Sequence, residues 1–352
     1  MRNGIIEKVL EGERLDKESA LKLFELDLHI LGFLARTIRF RLNPERIVTY
    51  IVDRNINYTN ICISGCKFCA FHRPPGSKEG YVLSFKELGK KIEETIQLGG
   101  YQILLQGGLH PDLPLEFYED MLRFIKTNYP EIHIHGFSPP EIVHFSKISK
   151  LSIEEVLKRL IQAGLDSIPG GGAEILSDRV RKILSPNKAT TKEWLEVMET
   201  AHKLGLKTTA TMMFGHIETR EEIIEHLIKI RNLQDKTKGF TAFIPWTFQP
   251  KKTKLGHLIK VGAVEYLKVL AISRIMLDNI KNIQVSWVTQ GPRIAQIALE
   301  FGGNDFGSTM IEENVVSATG VAHRLSEEEI RYYIESAGYI PKRRKMDYTI
   351  IE

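Results

Sequence analysis

Cys62, Cys66 and Cys69 are the only cysteines among 352 residues, and they stand as C-x3-C-x2-C inside Asn60–Phe71. Three thiolates this close can turn inward from one loop onto a single soft metal centre. With no fourth cysteine, a [4Fe-4S] cube held there would keep one iron open to an outside ligand. A structural zinc site is the rival reading, with His72 as fourth ligand, because closed zinc sites want four protein ligands. Buried thiols that lie together without metal are the other. An odd, bunched set does not read as a disulfide framework.

Further along, polar and glycine-rich groups recur at the ends of apolar runs. Gln106-Gly-Gly-Leu-His110 offers backbone that can approach a ligand closely, or a plain tight turn. Ser138-Pro-Pro-Glu141 opens a helix, with Ser138 as cap or ligand contact. Pro169-Gly-Gly-Gly-Ala-Glu174, followed by Arg179, sets free N–H groups beside a carboxylate and a guanidinium. A surface ion pair of Glu174 with Arg179 or Arg181 is the plainer alternative. His216 could transfer a proton, since imidazole titrates near neutrality. Trp246 and Gln249 could wall and hydrogen-bond a substrate, or lie in the core. Arg293 is a candidate for a substrate carboxylate.

The elements that must position these groups alternate regularly. From about residue 50, β-forming runs alternate with amphipathic segments, as in repeated βα units. Eight strands are expected near Arg54–Tyr58, Tyr101–Leu105, Ile132–Phe137, Ser167–Pro169, Lys207–Met213, Thr241–Thr247, Gln284–Val288 and Gly303–Phe306. Capping boxes at Ser84/Glu87, Ser152/Glu155, Thr190/Glu193, Thr219/Glu222 and Ser326/Glu329 mark helix starts, because each pairs two otherwise orphaned N–H groups. Gly99, Gly164, Gly205 and Gly338 mark helix ends. The order predicts an α/β chain folded as a (β/α)8 TIM-type barrel. The alternative is a partial (β/α)6 barrel with a C-terminal helical extension. Residues 1–49 read as a helical lead-in packed on the barrel, 50–322 as the barrel, and 323–352 as a C-terminal helix and tail. In a barrel the working residues lie where strands end, which is where every group above falls.

Composition bounds the rest. Hydrophobic residues make up 43% of the chain and the net charge is +4. That is enough apolar content for a large core, and the scattered basic residues argue against an extended nucleic-acid surface. Lys342-Arg-Arg-Lys345 is locally basic and reads as a solvated tail. No apolar run reaches the ~20 residues of a membrane span, and no secretory signal opens the sequence. A reducing cytoplasm is the expected location.

The cysteine spacing, with Phe68 before the last cysteine, resembles the radical S-adenosylmethionine (SAM) enzymes. The resemblance extends through about residues 50–322, in Asp53-Arg-Asn-Ile-Asn-Tyr-Thr-Asn60, Gln106-Gly-Gly-Leu-His-Pro111, Ser138-Pro-Pro-Glu-Ile142, Pro169-Gly-Gly-Gly-Ala-Glu174, Thr211-Met-Met-Phe-Gly-His216 and Gly239-Phe-Thr-Ala-Phe-Ile-Pro245. These look like the menaquinone and deazaflavin branch of that superfamily. Within it, Pro169-Gly-Gly-Gly, Ser138-Pro-Pro-Glu and Trp246-Thr-Phe-Gln249 resemble the dehypoxanthine futalosine cyclases. The sister aminofutalosine synthases and the tyrosine-using subunit of FO synthase are the alternatives. A non-catalytic iron–sulfur or zinc protein is the alternative of another class.

The resemblance implies a [4Fe-4S] cluster on Cys62, Cys66 and Cys69, with SAM on the open iron. It implies SAM contacts from Phe68, Gln106, Gly107, Gly108, Glu174 and Arg179. The family's Gly-Gly-Glu segment lacks its glutamate here, so only a backbone role carries over to the two glycines. Substrate contacts fall to Ser138, Trp246, Gln249 and Arg293, and the closing proton transfer to His216. The implied reaction takes the C4′ hydrogen of dehypoxanthine futalosine and closes the ribose onto its benzoate ring. It also needs an external one-electron reductant, and no nucleic-acid or membrane partner.

Overall fold

In the computed structural model, residues 2–321 and 323–351 are described; domain limits drawn at 1, 322 and 352 fall on residues outside them. The strands are β1 (Ile47–Ile51), β2 (Asp53–Asn57), β3 (Gln102–Gln106), β4 (His133–Gly136), β5 (Ser167–Ile168), β6 (Lys207–Phe214), β7 (Phe240–Thr247), β8 (Asn282–Ile283), β9 (Asp305–Ser308) and β10 (Ile340–Arg343). β2 to β8 pair in chain order, and every pairing is parallel. β9 pairs with β1, and a parallel bridge from Gln284 to Asp305 ties β9 to the end of β8. β1 and β2 are one extended run broken only at Val52, so the curled sheet returns to its first strand. This is the α/β, TIM-type barrel expected from the alternation of elements.

Local chemistry explains the helices between strands. All five expected capping boxes form, each with the hydroxyl and the carboxylate exchanging bonds with backbone N–H groups. A box of this kind contributes about 1 kcal/mol. Gly164 ends its helix at φ 118°, a backbone region closed to most side chains. The helices then bury one stripe against the sheet; Leu88 and Ile92 of Phe85–Gln97 are 1% and 0% exposed. Full burial of such a side chain stabilises by roughly 1.5–3 kcal/mol.

Four placements differ from expectation. The first strand begins at Ile47, inside the stretch read as lead-in, because Arg39 turns the chain into it by donating to the carbonyls of Asn43, Glu45 and Ile47 at 2.7–2.8 Å. The strand expected at Gln284–Val288 is β8, two residues earlier, and Trp287–Gln290 is a helical turn. The strand expected at Gly303–Phe306 runs from Asp305 to Ser308. The Lys342–Lys345 cluster is no solvated tail. β10 pairs in parallel with β1, and Arg344 is buried against Asp305, its Nη2 at 3.1 Å from Oδ1.

Ahead of the barrel, the Leu28–Leu42 helix packs on the Ala263–Met276 helix. Among the described residues no helix is long and apolar enough to cross a membrane.

Candidate active site

The cysteine loop springs from the C-terminal end of β2 and is tied back onto itself. Asn60 accepts the Tyr81 N–H at 2.9 Å and donates to the Glu79 carbonyl at 2.9 Å. The Cys62 N–H reaches the Arg73 carbonyl at 2.9 Å. Cys62 Sγ accepts the Leu109 N–H at 3.3 Å, which locks the loop to the segment after β3. Ser64 Oγ lies between two sulfurs, 2.9 Å from Cys62 and 3.3 Å from Cys66. Cys66 is buried, and burial pushes its thiol up to about 11 against the pull of the Lys188 ammonium. His72 points at backbone, with Nδ1 3.0 Å from the Cys69 carbonyl.

The described side chains hold no ready-converged trio of metal ligands. The donor set nonetheless fits an iron–sulfur cluster: three thiols on one loop, one beside a fixed cation, with a backbone N–H already aimed at a sulfur.

After β3, glycine lets two segments meet. A Cβ on Gly108 would lie 2.2 Å from the Ile61 carbonyl oxygen, and one on Gly107 would lie 2.4 Å from the Tyr58 ring. Glu141 pins this segment by accepting the Gly107 N–H at 2.9 Å and the Tyr58 hydroxyl at 2.5 Å. Its other oxygen takes the Ser138 N–H at 2.7 Å and hydroxyl at 2.6 Å. Ser138 is therefore engaged in a sixth capping box that holds Gly107, and is not turned to the lumen. Burial pushes the Glu141 carboxyl up, and these donors oppose the shift.

Glu174 sits after β5 at φ 40°, buried, with Oε1 2.9 Å from Lys188 Nζ and Oε2 3.6 Å from Arg181 Nη1. Glu174 Oε2 has no hydrogen-bond partner. The Lys188 ammonium also stands 5.3 Å from the centre of the Phe68 ring, within cation–π reach. Lys188 thus joins Cys66 and Phe68 of the cysteine loop to Glu174, about a hundred residues further along. The sequence reading missed it, since a lysine in the irregular Ser185–Thr190 stretch carries no local signal. Arg179 is not brought to this group. It faces the opposite way and pairs with Glu222, Nη2 to Oε2 at 2.6 Å.

Below these loops lies a lumen of about 280 Å³. Barrel interiors are usually filled by branched apolar side chains. Here the inward strand positions include Asn55, Gln106, His135, Thr209, Thr211 and Gln284, all lining the cavity. Gln106 packs where a Cβ on Gly171 would lie 2.6 Å from its Nε2. Glu174 Oε2 is left unsatisfied by the surrounding protein and Gln106 lines the cavity, so both can serve a ligand. Trp246 lines one wall, as expected.

Three other expected residues fall elsewhere. Gln249 is buried and donates to the Thr247 carbonyl and hydroxyl at 3.0 and 3.1 Å. Arg293 is exposed on the Pro292–Ala298 helix, away from the lining. The His216 ring is enclosed in its own turn, Nδ1 2.7 Å from Glu218 and Nε2 3.0 Å from the Met213 carbonyl. Both its nitrogens are occupied. The imidazole that does reach the lumen is His135, and Ile132-His-Ile-His-Gly136 carried the signal: alternation puts both histidines on one strand face.

Comparison with known proteins agrees with this arrangement. Residues 56–230 match the Radical SAM superfamily, and residues 237–352 match the CofH/MqnC C-terminal region. The cyclic dehypoxanthine futalosine synthase of Halalkalibacterium halodurans is 49% identical over 350 residues, covering 99% of this chain and 95% of that protein. The 5-amino-6-(D-ribitylamino)uracil–L-tyrosine 4-hydroxyphenyl transferase 1 of Methanosarcina acetivorans is 42% identical, covering 99% and 94%. Methylornithine synthase shares the fold, with a TM-score of 0.74 at 18% identity over 96% of this chain and 97% of its own. The chain belongs to the radical SAM superfamily, in the group that carries the CofH/MqnC C-terminal region, and is a radical SAM enzyme.

Proposed function

We propose that the enzyme converts dehypoxanthine futalosine to cyclic dehypoxanthine futalosine, a step toward menaquinone. The observation that carries this reading is the lumen beneath the cysteine loop, apolar over most of its wall but set with Asn55, Gln106, His135 and Gln284, which suits a nucleoside that carries both an aromatic ring and hydroxyl groups. The 49% identity to a protein of that name, nearly end to end, supports it. Cys62, Cys66 and Cys69 would hold a [4Fe-4S] cluster, and SAM would complete it. When bound, the pair supplies a 5′-deoxyadenosyl radical.

The chain's own residues do the rest. Glu174 Oε2 and the Gln106 amide offer hydrogen bonds to SAM at the mouth of the lumen. Gly107 and Gly108 let backbone close in beside the cysteine loop, and Phe68, under Lys188, packs the other side. Trp246 walls the substrate. The enclosing barrel keeps water and stray hydrogen donors from a reactive primary radical and holds the target C–H in reach of it. The substrate is a small molecule, the starting electron comes from an external one-electron reductant, and the enzyme works in the cytoplasm.

A second reading deserves a test, because relatives at 42% identity transfer a hydroxyphenyl group from tyrosine. Against it stand Pro169-Gly-Gly-Gly and Trp246-Thr-Phe-Gln249, which resemble the cyclases. The experiment is mass spectrometry of an anaerobic reaction with reconstituted protein, SAM, reductant and dehypoxanthine futalosine, with Cys66→Ala as control. A product two hydrogens lighter than substrate, formed with 5′-deoxyadenosine and absent in the control, is the expected result. SAM cleavage without conversion of this substrate, but with conversion of tyrosine and the ribityl uracil, would replace it by the second reading.

A further inference from the structure

We propose that His135, Ser167 and His133 form a proton exit leading from the barrel lumen through its wall to the N-terminal face. The inference rests on the cyclisation above, which must discard a ring hydrogen inside a closed cavity. His135 lines that cavity. Its Nδ1 is 2.7 Å from Ser167 Oγ, and the same hydroxyl is 2.7 Å from His133 Nε2. Ser167 is fully buried between them, and His133, two residues back along β4, is half-buried at the lower end of the strand. Among the described residues the hydrogen bond of the His135 ring is made through Nδ1, and the ring lines the cavity.

One hydroxyl carries one proton, so Ser167 donates to one ring and accepts from the other. When it donates to His133, His135 donates through Nδ1 and presents the Nε2 lone pair to the lumen. That is the acceptor the reaction needs. The step balances. Attack of the C4′ radical on the benzoate ring leaves a cyclohexadienyl radical. Its ring C–H bond breaks, the proton goes to His135 Nε2, and the bond pair stays on the ring. The resulting radical anion becomes an arene by passing one electron to a one-electron acceptor of the iron–sulfur class. The Nδ1 proton moves to Ser167, and the Ser167 proton moves to His133.

The charges around the relay favour onward transfer. Burial above all, then the neighbouring His133 and Arg344, which lines the same cavity, disfavour an imidazolium at His135, so the ring rests neutral. Asp53 from β2 lines the cavity too, held by Gln102 at 2.8 Å and by Ser308. At the far end burial also pushes His133 down, but less far than His135; Asp166 and Asp347 there favour its cation, and Lys126 and Lys345 oppose it. A proton is therefore easier to hold at the outer histidine than at the inner one.

The test uses reconstituted holoenzyme in a single anaerobic turnover, with His135→Gln and Ser167→Ala, reading 5′-deoxyadenosine, cyclised product and the electron paramagnetic resonance signal. His135→Gln should form 5′-deoxyadenosine at the native rate, release product about 100-fold more slowly, as for loss of a general base, and accumulate a substrate-derived radical. Ser167→Ala keeps the ring but cuts the relay. Product release should slow about tenfold, as a weaker share of the same proton transfer, with a larger solvent deuterium effect and a pH profile displaced from the native one. A merely structural serine would move neither of those two readouts. Should His135→Gln fail to hold its cluster, Ser167→Ala decides alone. Product release at the native rate with an unchanged pH profile in the variants overturns the relay. Wild-type protein that cleaves SAM but never cyclises the substrate overturns the relay and the proposed reaction together, and that failure is recognisable because it precedes any substitution.

Discussion

Replacing Gly108 by alanine should push the cysteine loop out of place. The added Cβ would fall 2.2 Å from the Ile61 carbonyl oxygen and 2.9 Å from Cys62 Cβ, where ordinary contact starts at 3.4 Å. Neither neighbour can step aside cheaply. The Ile61 N–H is tied to Thr59 Oγ1 at 3.2 Å, the Cys62 N–H to the Arg73 carbonyl at 2.9 Å, and the Gly108 N–H to the Thr59 carbonyl at 3.0 Å. The loop or the segment after β3 must therefore retreat by about 1 Å, a displacement that can cost on the order of 10²-fold in rate when it misplaces reacting groups. Forcing extra volume into a packed site also costs about 1–3 kcal/mol of stability. The assay is SAM cleavage by Gly108→Ala and native protein matched for iron and sulfide, with denaturant unfolding alongside. Gly205→Ala is the control: its φ of 88° strains alanine, but nothing lies within 4 Å. It should lose about 1 kcal/mol and keep its SAM cleavage. Cleavage by Gly108→Ala within about threefold of native, well short of the 10²-fold expected from misplacement, would refute the argument that glycine is there to let the two segments touch.

Glu174→Gln removes the negative charge held between Lys188 and Arg181, and SAM affinity should fall roughly 10–100-fold, the range for a charged hydrogen bond; calorimetric titration with an unchanged affinity would remove Glu174 from the site. Arg344→Ala leaves Asp305, whose side chain is 0% exposed, without its cation, at a cost of about 3–5 kcal/mol in urea unfolding. Pairing it with Asp305→Asn should restore much of that, and no restoration would mean the tail is held by something other than this ion pair. Glu222 is held at about 2, chiefly by the bond from Arg179, with burial opposing and Ser177 and the Thr219 N–H assisting. A depressed carboxyl stabilises the fold above its unfolded pKa of about 4.3 and loses that stabilisation as the pH falls toward 2. Arg179→Ala should thus flatten the stability curve from pH 5 to pH 2 and leave SAM cleavage at neutral pH unchanged; an unaltered acid limb would show that the pair contributes nothing.

Much of the chain could be read from short-range rules. The cysteine loop is a matter of spacing, and the capping boxes and terminal glycines depend on residues three or four apart, so helix starts and ends were legible one by one. β6 and β7, long and rich in β-formers, were legible for the same reason. β8 and β9 were displaced in the reading because two- and four-residue strands are defined by their partners more than by their own residues. β10 was missed because Lys342–Lys345 looks like a surface run. Only the open edge of β1 and the carboxylate of Asp305, distant in sequence, give those residues a reason to be inside.

The candidate site divides along the same line. The three cysteines, Gln106, Gly107, Gly108, Glu174 and Trp246 could be marked in advance because each lies where a strand ends, and a parallel barrel gathers strand ends at one face. Which side chains turn into the lumen was settled by packing. Arg179 and Lys188 are both cations near Glu174 in sequence, yet the helix from Asp178 to Leu184 carries one to Glu222, while the turn after it carries the other to Cys66. His216 and His135 are equally plausible imidazoles on paper; the first spends both nitrogens on its own turn, and the second meets Ser167 from the next strand. The sequence by itself determined the chemistry on offer, because ligand type and spacing are local. The tertiary structure decided which groups take part, because direction and company come from strands and helices that meet only when the sheet curls and closes.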